Sequence, residues 1–171
     1  MIYFNGFSLD NEEKLFTEYA DAGEHCVLGF SFGAQKAFEY VYESMERIDR
    51  LILLSPAFFQ TKKDSFVRTQ LKHFISEKAI YVKQFLFNVA YPSSIDLEQY
   101  LHIGKEEELE ALLTYVWQEN KIKELLDRGV HIEVFLGAKD KIIDAQEALA
   151  FFGALTTSYY VKDAGHLLRN T

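Results

Sequence analysis

The sequence predicts an α/β fold, a sheet of about five mostly parallel strands with helices between them. Three observations carry this. Cys26-Val27-Leu28-Gly29-Phe30 and Leu51-Ile52-Leu53-Leu54 are apolar runs without alternation, as in strands covered on both faces. Segments of helical spacing separate the strand candidates. Turn residues close several of them: Asn5-Gly6, Ser55-Pro56 and Gly137.

In chain order, Ile2-Tyr3-Phe4 is the first strand candidate. Asp10 with Glu13 three residues on reads as a helix N-cap with a reaching acid, ahead of Leu15, Phe16 and Tyr19. The run from Cys26 is the second strand, and residues 34–45 read as a helix. Leu51 to Leu54 form the third strand. His131-Ile132-Glu133-Val134-Phe135-Leu136 is the fourth, residues 145–152 are helical, and Ser158-Tyr159-Tyr160-Val161 is the fifth. Residues 57–130 interrupt the rhythm. Their apolar positions, among them Val67, Leu71, Phe74, Val82, Phe85, Leu86 and Val89, recur at helical spacing, so we expect a helical insertion within one domain spanning 1–171. One straight helix over 65–87 would gather Arg68, Lys72 and Lys83 on one side, and a break near Ser76 would undo that. Right-handed crossovers running one way would place every connecting helix on one sheet face, so the insertion or a second subunit, as in a homodimer, is expected to cover the other.

Composition narrows the partners. Among the 171 residues, 49% are hydrophobic, which excludes a disordered chain, and the net charge of −8 argues against nucleic acid. Met1 to Asp10 has no basic segment before an apolar one, and no run reaches membrane-span length. The lone cysteine, Cys26, fits a reducing, cytoplasmic setting and a place in the core. No metal-ligand spacing surrounds His25, His73, His102 or His131, so we expect no metal or cofactor. One window departs from the acidic balance: Lys62, Lys63, Arg68, Lys72, Lys78 and Lys83 stand against only Asp64 and Glu77. Such a basic island suits an acidic partner, or is simply a solvated helix face.

The chemistry centres on Gly29-Phe30-Ser31-Phe32-Gly33. This G-x-S-x-G lies between an apolar strand and a helix, where a sharp turn exposes a serine at the sheet edge and glycines are needed for close backbone approach. A serine nucleophile needs a base and an acid to orient it. Gly137-Ala138-Lys139-Asp140 follows the fourth strand, and Gly165-His166 the fifth. The C-terminal ends of parallel strands share one crevice, so Ser31, Asp140 and His166 are expected to converge there. Asp144 and Asp163 remain alternatives for the acid. Two backbone amides must hold the oxyanion: Phe32, after the serine, and Phe7, in the loop after the first strand.

These motifs resemble the α/β-hydrolase superfamily over most of the chain outside 57–130. The family's His-Gly after the oxyanion strand stands here as Asn5-Gly6. Its opening hairpin, the strand between the oxyanion and nucleophile strands, and its closing helix are lacking, which leaves a minimal α/β-hydrolase fold. The short length, helical insertion and Asn5-Gly6-Phe7 look most like the very small pimeloyl-[acyl-carrier protein] methyl ester esterases of bacterial biotin synthesis. That resemblance implies a pimeloyl methyl ester on acyl carrier protein (ACP) as substrate. It also gives the basic island an acidic partner, with Arg68 and Lys72 foremost and Lys62, Lys63, Lys78 and Lys83 beside them. An acyl-ACP thioesterase would use the same triad, and a non-catalytic ACP-binding protein would need only the island.

Overall fold

The computed structural model describes residues 1–20 and 23–170. Five parallel strands pair in sequence order: β1 (Ile2–Phe4), β2 (Cys26–Phe30), β3 (Arg50–Leu54), β4 (His131–Gly137) and β5 (Thr157–Val161). Every pair is parallel and in register across the sheet, with Leu28 beside Ile52 and Ile52 beside Glu133. All five residues of β2 are buried, as its unbroken apolar run requires.

Helix α1 (Phe32–Glu43) joins β2 to β3, α5 (Glu119–Asp127) leads into β4, and α6 (Ala145–Gly153) joins β4 to β5. Between β3 and β4 the chain also forms α2 (Asp64–Ser76), α3 (Lys78–Ala90) and α4 (Glu106–Thr114). Within 57–130, α5 lies along α1: Arg128 donates to the Val41, Tyr42 and Ser44 carbonyls, and the Tyr42 hydroxyl donates to Glu124. Trp117 packs between Phe38 of α1 and Phe152 of α6, its ring 5.2 and 5.0 Å from theirs. These three helices therefore share one sheet face.

The other face is covered differently from the expectation. Adjacent residues of a strand point to opposite faces. Phe4 touches Tyr40 of α1, whereas Tyr3 touches Phe16 of the β1–β2 connection. Phe16 also packs 4.7 Å from Phe30, and Tyr19 4.8 Å from Phe135. The connection, a 3-10 segment over Glu12–Tyr19 kinked at Phe16, thus crosses the face opposite α1. Two crossovers that move the same way over opposite faces have opposite hands, so the right-handed rule is broken once here. Burial explains why: Leu28, Phe30, Ile52 and Leu54 would otherwise be bare on that side. Arg50 pairs with the nearly buried Glu133, which also accepts from Tyr159.

Two smaller expectations are corrected. Asp10 does not cap the first helical segment: the residue before it is Asn11, in the left-handed region, and Asp10 Oδ1 accepts from the Asn5 side-chain Nδ2 at 3.1 Å. The helix over 65–87 is broken at Glu77 (φ −145°, ψ 57°), so Lys83 sits on α3, apart from Arg68 and Lys72 on α2. Cys26 is buried, and no helix among the described residues is long and apolar enough to cross a membrane.

Candidate active site

Ser31 occupies the turn from β2 into α1. Its backbone is forced to φ 53°, ψ −114°, outside the regions an L-residue prefers. Both neighbouring glycines are required. A Cβ on Gly29 would fall 2.3 Å from the Gly33 carbonyl oxygen, and one on Gly33 would fall 2.0 Å from that of Phe4. The turn is pinned by the Ser31 amide, which donates to Leu54 at 2.9 Å, and by its carbonyl, which accepts from Ala34 and Ala57.

The loops after β4 and β5 bring the other two groups in. A Cβ on Gly137 would lie 2.1 Å from the Gly165 oxygen, so the loops touch backbone to backbone. His166 is fully buried, with its Nε2 2.9 Å from Ser31 Oγ and its Nδ1 2.6 Å from Asp140 Oδ2. The other carboxylate oxygen, Asp140 Oδ1, accepts from the Ile142 and Ile143 amides at 2.7 and 3.0 Å. Ser55 Oγ donates to the His166 carbonyl at 2.6 Å, and the Phe30 ring lies 5.1 Å from the imidazole. The two other aspartates are occupied elsewhere. Asp144 caps α6 through the Gln146 and Glu147 amides, and Asp163 pairs with Lys139 at 3.2 Å.

A serine, an imidazole and a carboxylate in one hydrogen-bonded line, on a parallel sheet at a strand-to-helix turn, define the architecture. The chain has the α/β-hydrolase fold. Solved structures agree. The hydrolase olei00960 from Oleispira antarctica superposes with a TM-score of 0.70 at 9% identity, covering 99% of this chain and 84% of that one. BioG from Haemophilus influenzae gives 0.59 at 11% identity, covering 97% and 87%. Naproxen esterase from Bacillus subtilis gives 0.56 at 20% identity; 90% of this chain matches, spanning 58% of that enzyme. No family model and no curated protein matches the sequence.

In this α/β-hydrolase fold the β1 loop forms the opposite wall of the site. Its Phe4 and Asn5 carbonyls lie against Gly33, so the loop abuts the serine turn. Neither the Phe7 nor the Phe32 amide hydrogen-bonds another backbone or side-chain group among the described residues. Both residues border one cavity of about 380 Å³, with Asn5, Gly6, Lys36 and His102. The Phe7 ring is buried against Phe74 of α2 and Phe85 of α3, which ties the loop to the helices above.

Sequence reasoning missed Glu12. Its side chain is buried, and its Oε1 accepts from the Gly6 amide at 2.6 Å and the Tyr3 hydroxyl at 3.1 Å. Burial, the largest cause, pushes its carboxyl above the ordinary value, and those two hydrogen bonds offset part of that. Burial and the neighbouring Glu12 push the Tyr3 phenol up. Nothing in the acidic run Glu12-Glu13 distinguishes its inward member from its outward one. Ser55 was missed for a similar reason, since Ser55-Pro56 reads as an ordinary turn.

The basic residues spread over several elements. Arg68 and Lys72 lie one turn apart on α2, both exposed, and Lys63 is exposed at its start. Lys62 is 4.0 Å from Glu147, Lys78 lies over the Phe74 ring, and Lys83 is exposed on α3. Between α2, α3 and α4 lies a cavity of about 360 Å³, bordered by Phe59, Phe85, Leu112 and Ile142, the last two residues from Asp140.

Proposed function

We propose that this chain is a serine carboxylesterase that converts pimeloyl-ACP methyl ester to pimeloyl-ACP and methanol, a step of biotin synthesis. The Ser31–His166–Asp140 line carries the esterase reading. Ser31 Oγ attacks the ester carbonyl carbon while His166 Nε2 takes its proton. The carbonyl oxygen becomes an oxyanion held by the Phe7 and Phe32 amides. Collapse breaks the bond to the methoxy group, which leaves as methanol with the proton from His166. Water then gives a proton to His166 and attacks the acyl carbon, and the returned proton frees Ser31 and the carboxylic acid. Asp140 keeps the Nδ1 proton in place throughout and stabilises the imidazolium.

Two features support the substrate. Arg68, Lys72 and Lys63 offer positive charge on α2 to an acidic carrier, on a chain otherwise acidic. The cavity between α2, α3 and α4 is lined mainly by aromatic and aliphatic groups, with His73, Lys141 and a few side-chain amides among them, which suits a short acyl chain ending in a polar ester.

Intact mass spectrometry of pimeloyl-ACP methyl ester before and after incubation, with Ser31→Ala alongside, tests this. Loss of one CH₂ unit from the carrier, absent with the variant, is expected. Loss of the whole acyl group would make the chain a thioesterase, and an unchanged carrier would remove this substrate.

A further inference from the structure

The oxyanion loop has an anchor that lies outside the triad. Phe7 follows Gly6, which packs closely against Phe30. A Cβ there would already meet the Phe30 ring at 2.8 Å, so the residue is wedged between that ring and its own hydrogen bond. The bond goes to Glu12 Oε1, on the segment that crosses the opposite sheet face. The same oxygen takes the Tyr3 hydroxyl from β1. One buried carboxylate oxygen therefore ties together β1, Gly6 of the loop and the crossing segment. The second oxygen, Oε2, is buried with no hydrogen bond to another residue among the described residues. A carboxylate in such a place is costly to keep, since burial penalises its charge. A residue serving only to fill space would be better as an apolar side chain.

We infer that Glu12 is a positioning residue for the oxyanion loop: by accepting the Gly6 amide it sets the following peptide, and with it the Phe7 N–H. The inference rests on the esterase reading above, in which Phe7 supplies one oxyanion donor. Misplacing such a donor leaves substrate binding intact and weakens only the transition state. The acceptor matters here and the charge does not. Glutamine keeps a carbonyl oxygen for Gly6 and Tyr3 and places its amino group where Oε2 lacks a partner.

The test compares wild type, Glu12→Ala and Glu12→Gln on p-nitrophenyl acetate, with rates normalised to sites titrated by a fluorophosphonate. Alanine is expected to lower kcat about 10- to 100-fold with KM within about twofold. It should weaken a trifluoromethyl ketone, whose adduct on Ser31 carries the oxyanion, by the same factor. Glutamine is expected to restore kcat to within about threefold of wild type. Alanine with wild-type kcat, or glutamine as impaired as alanine, would overturn the inference while leaving the esterase standing. A wild type inert toward esters would overturn both. If circular dichroism shows that the alanine variant does not fold, Glu12→Asp decides, because it keeps the carboxylate but withdraws it by one methylene. Reduced kcat supports the anchor, and an unchanged kcat overturns it.

Discussion

The two walls of the candidate site are held in contrasting ways. On the triad side, each group is fixed from several directions. Asp140 takes two backbone amides besides His166, the His166 carbonyl takes Ser55, and Ser31 is locked by Leu54, Ala34 and Ala57. On the β1 side, the Gly6 amide is held by one oxygen of Glu12, and the loop beyond it by Ser8, whose carbonyl and hydroxyl accept from the His102 and Gly104 amides. The Ser31, Asp140 and His166 loops leave β2, β4 and β5 and brace one another in the crevice at the strand ends. The loop after the three-residue β1 is braced instead from outside the sheet, by the crossing segment through Glu12 and by the chain around 102–104.

Asp140→Asn should have the largest effect on the well-braced wall. Its single carbonyl oxygen can keep the Ile142 and Ile143 amides only by turning its NH₂ toward His166 Nδ1. That selects the wrong tautomer for taking the serine proton, and kcat should fall about 10³- to 10⁴-fold with KM little changed. A loss below tenfold would mean that Asp140 does not orient the base. The Glu12 series sits next, with its smaller loss and its rescue by glutamine. Smallest is the double variant Arg68→Glu with Lys72→Glu. It should raise KM for the ACP-borne ester about tenfold, with kcat and p-nitrophenyl acetate hydrolysis unchanged. An unaltered KM at low salt would take the carrier away from α2.

The triad wall was legible in the sequence because strand ends are legible. Apolar runs located β2 and β3, Gly137 and Gly165 marked the loops after β4 and β5, and parallel pairing brought their ends together. Asp140 is the expected acid because it follows the fourth strand, but loop geometry decides between it and Asp144 or Asp163: Asp144 caps α6, Asp163 meets Lys139, and Asp140 faces His166. The β1 wall was largely hidden. Nothing local reveals that the Glu12–Tyr19 segment crosses the unexpected face. That choice is made by apolar surface on β2 and β3, remote in sequence from Phe16 and Tyr19. Glu12 was hidden with it, because its burial is a consequence of that crossing. The break at Glu77 was open in the sequence, since neither Ser76 nor Glu77 is a strong helix breaker.

The account rests on Ser31 being an activated nucleophile, and labelling by a fluorophosphonate tests that most directly. Peptide mass mapping should find one phosphonyl group, on Ser31, formed in wild type, absent in Ser31→Ala and strongly slowed in His166→Ala. A folded wild type that takes no label, or takes it on another residue, would contradict the account.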